Sequence, residues 1–144
     1  MENHQSRKLL LSGMILFLLG LLNGLVISLF ENPRMGLSAH LAGVQNGLVL
    51  LAFGLFWQKV KLGDSAKRWC LNLNIYSMYA IWFALVLAAM WGTSSATPIA
   101  GASFSSTLTK EYIVNFFLYS GSGAIIIASI QVILGLIQWK PIRA

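Results

Sequence analysis

The chain has 144 residues, of which 57% are hydrophobic and 10% charged; its mean hydropathy is +0.73 and its formal net charge +6. A soluble domain carries about 25% charged residues, so this sequence cannot supply a polar surface for water, and lipid must be its solvent. The length allows a single transmembrane domain over residues 1–144, with little room for a separate soluble module.

A helix that crosses the hydrocarbon core needs about 20 apolar residues. Four stretches reach that length, at residues 9–30, 37–57, 71–92 and 112–139, which predicts an all-α, integral membrane four-helix transmembrane bundle. Arg7 and Lys8 precede the first stretch as they would a signal peptide. The apolar run is longer than in such peptides, though, and Ser28-Leu29-Phe30-Glu31 has no small-x-small cleavage pattern, so the segment is expected to remain. Glu31, Asn32, Pro33 and Arg34 then make a polar turn, with Pro33 driving Asn32 out of helical conformation. Between the second and third stretches, residues 58–68 read as a basic hydrophilic loop containing Lys59, Lys61, Lys67 and Arg68. Residues 92–110 are mostly Ser, Thr, Ala and Gly around Pro98, and form either an ordered cap over one membrane face or a flexible link. Trp57, Trp69, Trp91 and Trp139 fall near span ends, where interfacial anchors belong.

Lys and Arg are divided unequally between the two faces. Arg7, Lys8, Lys59, Lys61, Lys67, Arg68, Lys140 and Arg143 fall on one side; only Arg34 and Lys110 fall on the other. The positive-inside rule then puts both termini in the cytoplasm, an N-in/C-in topology. Basic residues that flank spans meet lipid headgroups, so nucleic acid is not an expected partner and membrane lipid is. Cys70, the single cysteine, allows no internal disulfide or thiolate cluster and reads as a packing residue.

The spans contain no carboxylate: Glu2, Glu31, Asp64 and Glu111 all lie outside them or at their edges. Proton-coupled cation export usually depends on an intramembrane carboxylate, so that class is disfavoured. His40 is the titratable side chain within the second span, and Gly43, Gly47 and Gly54 follow it on the same helical face. This face has two readings. The glycines either allow close helix packing, with His40 bonding across the contact, or leave room for a flat cofactor whose metal the imidazole binds. Asn46 must find a partner in protein or a cavity, as must Asn23 on the first span. Asn72, Tyr76 and Tyr79 form a polar stripe on the third span, and the Tyr79 hydroxyl serves either a site or an interhelical bond. Tyr119, Ser120, Ser122 and Gln131 on the fourth suit interhelical hydrogen bonds.

The run Asn32-Pro33-Arg34-Met35-Gly36-Leu37-Ser38-Ala39-His40-Leu41-Ala42-Gly43-Val44-Gln45-Asn46-Gly47 resembles the signature of the hydroxylaminobenzene mutase family. Tyr79-Ala80-Ile81-Trp82 and Leu87-Ala88-Ala89-Met90-Trp91-Gly92 are similar to that family's third helix, so the resemblance covers roughly residues 9–92 and weakens beyond. It implies a four-helix membrane enzyme that turns an N-aryl hydroxylamine into an aminophenol. A more distant resemblance is to styrene oxide isomerase, in which a histidine ligates haem b and an asparagine six residues on helps to hold the substrate. His40, Asn46 and Gly47 match that spacing. That enzyme's aspartate and tyrosine of the third helix are not matched, since ungapped counting from His40 reaches Ser77 and Leu85.

By resemblance, then, His40 is the expected metal ligand of a haem b, with Gly43 and Gly47 beside the cofactor and Asn46 and Tyr79 as catalytic residues. The substrate would be a small aromatic molecule, and the site would lie between subunits of a homo-oligomer in a bacterial inner membrane. The competing reading is a small carrier or assembly subunit whose polar residues only join helices.

Overall fold

The computed structural model describes residues 2–101 and 103–139, apart from the side chains of Glu2 and Asn3. Lys140 and Arg143, which enter the charge count, lie outside the described residues. Four helices follow in order: α1 (Glu2–Leu25), α2 (Pro33–Phe56), α3 (Asp64–Trp91) and α4 (Leu108–Ile137). All four are long and apolar enough to cross a membrane.

Each helix starts several residues before its apolar run. Asn32 is extended (φ −114°, ψ 95°), and its side-chain oxygen accepts from the Met35 backbone N–H at 3.1 Å. Pro33 follows in the first turn, where its missing N–H costs nothing. The residue that marks a boundary in the sequence is therefore the first of the helix. At the other end of α3, Gly92 adopts φ +64°, a left-handed conformation that glycine takes without penalty, and its N–H closes the helix on the Ala88 carbonyl.

Two expectations change. The basic segment 58–68 is only partly a loop, because α3 begins at Asp64 and makes Lys67 and Arg68 helical. Trp57 is not an interfacial anchor: it is fully buried, its indole N–H donates to the Gln5 side-chain oxygen at 2.9 Å, and the Lys67 ammonium lies 5.9 Å from its ring centroid. The chain folds back over this tryptophan, with the N–H of Lys61 donating to the carbonyl of Gly135 in α4 at 2.9 Å. Trp69, by contrast, is 67% exposed near the start of α3, as an anchor should be.

Helices adjacent in sequence pack side by side, α1 on α2, α2 on α3 and α3 on α4. No extensive contact joins α1 to α4, and α3 is the most buried helix. One apolar cluster joins all four helices through Leu9, Leu16, Leu50, Met78 and Val132; a second, toward the other end, gathers Met35, Ala84, Ala88 and Val114. Many large apolar side chains remain exposed on the outside, among them Leu18, Leu48, Ile126 and Ile133, which suits a surface in contact with lipid tails.

Residues 92–110 are ordered rather than loose. The Glu111 carboxylate accepts from the backbone N–H groups of Ser94 and Ser95, both at 3.1 Å, and from the Ser95 hydroxyl at 2.8 Å. Asn115 adds a hydrogen bond to the same hydroxyl at 3.0 Å. The first turns of α4 thus hold the start of the connection from α3.

Candidate functional site

The site is built on the α1–α2 contact. A Cβ on Gly20 would lie 2.5 Å from the Val44 nitrogen, and one on Gly47 would lie 2.6 Å from the Phe17 nitrogen. The two backbones meet because neither face carries a side chain there. Gly43 is closed in on a second side as well, where a Cβ would sit 2.9 Å from Nε1 of Trp82. The space beside Gly43 and Gly47 is therefore occupied by α1 and by the Trp82 indole.

His40 lies about two turns into α2, half-buried, and faces the glycine stretch of α1. Its Nδ1 is 2.8 Å from the carbonyl oxygen of Gly20. A carbonyl can only accept, so Nδ1 carries the proton and Nε2 of the neutral ring keeps a lone pair. Nε2 has no hydrogen-bond partner among the described residues. Gly24 makes the arrangement possible, because a Cβ there would be 2.7 Å from Nδ1. An Nδ1–H fixed by a backbone carbonyl is the usual second contact of a metal-ligating imidazole.

The described residues contain no group of three or more His, Cys, Asp or Glu side chains able to hold a bare metal ion. A lone imidazole suffices only as axial ligand to a metal whose other positions are filled by a macrocycle. The donor chemistry of His40 is compatible with a haem, whose iron Nε2 would hold. Gly43 and Gly47 contribute by letting α1 approach and hold the imidazole.

Asn46 and Tyr79 anchor neighbouring points of α3. The Asn46 amide N–H donates to the Met78 carbonyl at 3.0 Å, and the Tyr79 hydroxyl donates to the Ser12 carbonyl at 2.9 Å. The side-chain oxygen of Asn46 keeps its acceptor capacity. Tyr79 thus ties α3 to α1, and Asn46 ties it to α2. Asn23 does a similar task further along, donating to the Gly36 carbonyl at 3.1 Å. Tyr76 faces elsewhere, bonded to the Ser120 hydroxyl at 2.7 Å. Ser77 is buried, and its hydroxyl donates within its own helix to the Asn74 carbonyl at 2.9 Å.

Next to these residues is a concavity of about 280 Å³ between α3 and α4, walled by Tyr76, Tyr79, Trp82, Phe83 and Phe117. Phe83 and Phe117 meet edge to face at 5.4 Å. A cavity of about 150 Å³ accommodates benzene, so one substituted ring fits comfortably. Trp82 belongs to both regions: it touches Gly43 on α2 and lines the aromatic concavity. Its indole nitrogen is buried with no hydrogen-bond partner, which leaves an N–H donor unspent. Part of this wall is legible in the spacing of Tyr76 and Tyr79 on the third span, whereas Phe117 joins it only through the pairing of α3 with α4.

A pair-packed four-helix membrane bundle with a histidine inside one span and an aromatic concavity beside it defines a class. The chain belongs to the styrene oxide isomerase family, whose model matches residues 5–137. It is an enzyme of the isomerase kind. Among curated proteins it is 40% identical, over 132 residues, to hydroxylaminobenzene mutase HabB of Ectopseudomonas oleovorans, covering 91% of this chain and 80% of that protein. It is 41% identical over 128 residues to hydroxylaminobenzene mutase HabA of the same organism, covering 88% of this chain and 95% of that one. No solved structure matches. The likeness does not end with the third helix, as the sequence motifs suggested, since the family match runs through α4.

Proposed function

We propose that this protein is a membrane-embedded mutase that converts an aromatic hydroxylamine into an aminophenol. In that rearrangement the N–O bond breaks and a C–O bond forms on the ring. One hydrogen moves as a proton from that carbon to nitrogen, so the product is an isomer and no oxidant or reductant is consumed. The observation that carries the reading is His40, with Nδ1 committed to Gly20 and Nε2 free, in a chain 40% identical to a hydroxylaminobenzene mutase.

The residues divide the work as follows. Nε2 of His40 would hold the iron of a haem b, with the Gly20 carbonyl keeping the ring in the tautomer that permits this. When bound, haem supplies a Lewis acid toward the substrate's oxygen. The aromatic walls of Tyr79, Trp82 and Phe83 receive the substrate ring from the lipid. Asn46, fixed on Met78 through its amide N–H, offers its oxygen to the hydroxylamine N–H. Trp82 packs its buried indole N–H edge against Gly43 and so fixes the ring that walls the concavity.

In a homo-oligomer a second copy of the chain would cover the exposed part of the half-buried His40 and complete the site. The clustering of Arg7, Lys8, Lys59, Lys61, Lys67 and Arg68 at one end supports both termini lying in the cytoplasm of a bacterial inner membrane.

The test is the visible absorption of the detergent-purified protein, followed by its product from hydroxylaminobenzene. A Soret band that is lost in His40→Ala and returns with added imidazole is the expected result, together with aminophenol formation. Colourless protein that still forms aminophenol would remove the haem and keep the mutase. Protein that forms none, coloured or not, would remove the mutase.

A further inference from the structure

The basic end of the bundle carries a second binding surface, away from the aromatic site. Three adjoining concavities run across the first turns of α1 and α3. One of about 320 Å³ is lined by Ser65, Arg68, Trp69 and Asn72. The next, of about 300 Å³, shares Arg68 and Asn72 and adds His4 and Lys8. The third, of about 180 Å³, is lined by His4, Arg7, Lys8 and Leu11.

Arg7, Lys8 and Arg68 are all exposed, and none has a carboxylate partner among the described side chains. Lys8 makes one long contact, 3.4 Å to the Asn72 side-chain oxygen. That contact orients the Asn72 amide so that its N–H donors remain for a ligand. Three like charges around one groove repel one another, and an anion is the natural partner for them.

The walls say which anion. Trp69 is 67% exposed at one edge, and Leu11 is 53% exposed at the other, where the groove runs down onto the apolar outside of α1. A free phosphate would leave this apolar floor bare. A phosphodiester bearing acyl chains satisfies both, with its charge among Arg7, Lys8 and Arg68 and its first methylenes along Leu11. We propose that this groove binds the headgroup phosphate of an anionic phospholipid.

The proposal does not depend on the mutase chemistry. It is tested by native mass spectrometry of the full chain in detergent, titrated with phosphatidylglycerol, phosphatidylcholine or inorganic phosphate. Lys8→Gln with Arg68→Gln is compared with the charge-matched pair Arg34→Gln with Lys61→Gln, both checked for helicity by circular dichroism. Phosphatidylglycerol is expected to bind more tightly than phosphatidylcholine. Its affinity should fall roughly fivefold per charge removed in the groove, about 25-fold for the pair, and stay unchanged in the control pair. Equal affinity for the two lipids, or an equal loss in both variant pairs, would overturn the site. Displacement of phosphatidylglycerol by inorganic phosphate at comparable concentration would overturn the lipid as its occupant.

Discussion

At the scale of the residue, the two polar side chains that bracket the site differ in what they already hold. Tyr79 spends its hydroxyl on the Ser12 carbonyl, whereas Trp82 spends its indole N–H on nothing. Removing each has a different signature. Tyr79→Phe should cost about 0.6 kcal/mol of stability, the usual value of an interhelical bond in a membrane, read as a lower thermal midpoint in detergent. Trp82→Phe leaves a gap beside Gly43 and the core, so it should cost more, about 1–3 kcal/mol, and weaken substrate binding at the ring wall, read as a raised KM. The glycines offer a similar contrast. Gly20→Ala pushes a methyl into the backbone of α2 at Val44, so it should destabilise by about 1–3 kcal/mol. Gly123→Ala meets nothing within 4 Å and lies inside α4, so it should be neutral or stabilise by up to about 1 kcal/mol. Thermal unfolding of the two variants side by side checks the pair.

At the scale of the element, apolar run length located every crossing but not the helix ends. Helix α3 starts at Asp64, well before the apolar stretch at residue 71, because basic side chains extend from a helix toward water without breaking it. Trp57 misled for a related reason. Its position at the end of a span resembles an anchor, and only the fold shows Gln5 and Lys67 closing over it. His40, Asn46 and the glycine face could be read from spacing along one helix. Their partners could not, since Gly20, Met78 and Ser12 act through backbone carbonyls that have no sequence identity. The connection from α3 to α4 is held by Glu111, so Glu111→Gln should loosen it locally. Hydrogen exchange at Ser94 and Ser95 is expected to accelerate, while exchange in the middle of α3 stays slow.

At the scale of the whole molecule, the bundle is a row of paired helices more than a closed square, with α1 and α4 at its outer edges. That openness suits a substrate that arrives from lipid. Helix α3 connects the two regions, meeting His40's helix at Asn46 on one side and lining the aromatic concavity with α4 on the other. The absence of carboxylates from the spans fits an isomerisation in which the migrating proton ends on the substrate itself. The central claim is that one imidazole makes this bundle a mutase. The most direct test is the rate of aminophenol formation from hydroxylaminobenzene by the purified protein and its His40→Ala variant, the latter with and without imidazole. The account predicts a loss of about 100-fold or more in the variant and partial recovery with imidazole. A folded His40→Ala protein that turns over at the rate of the parent would contradict it.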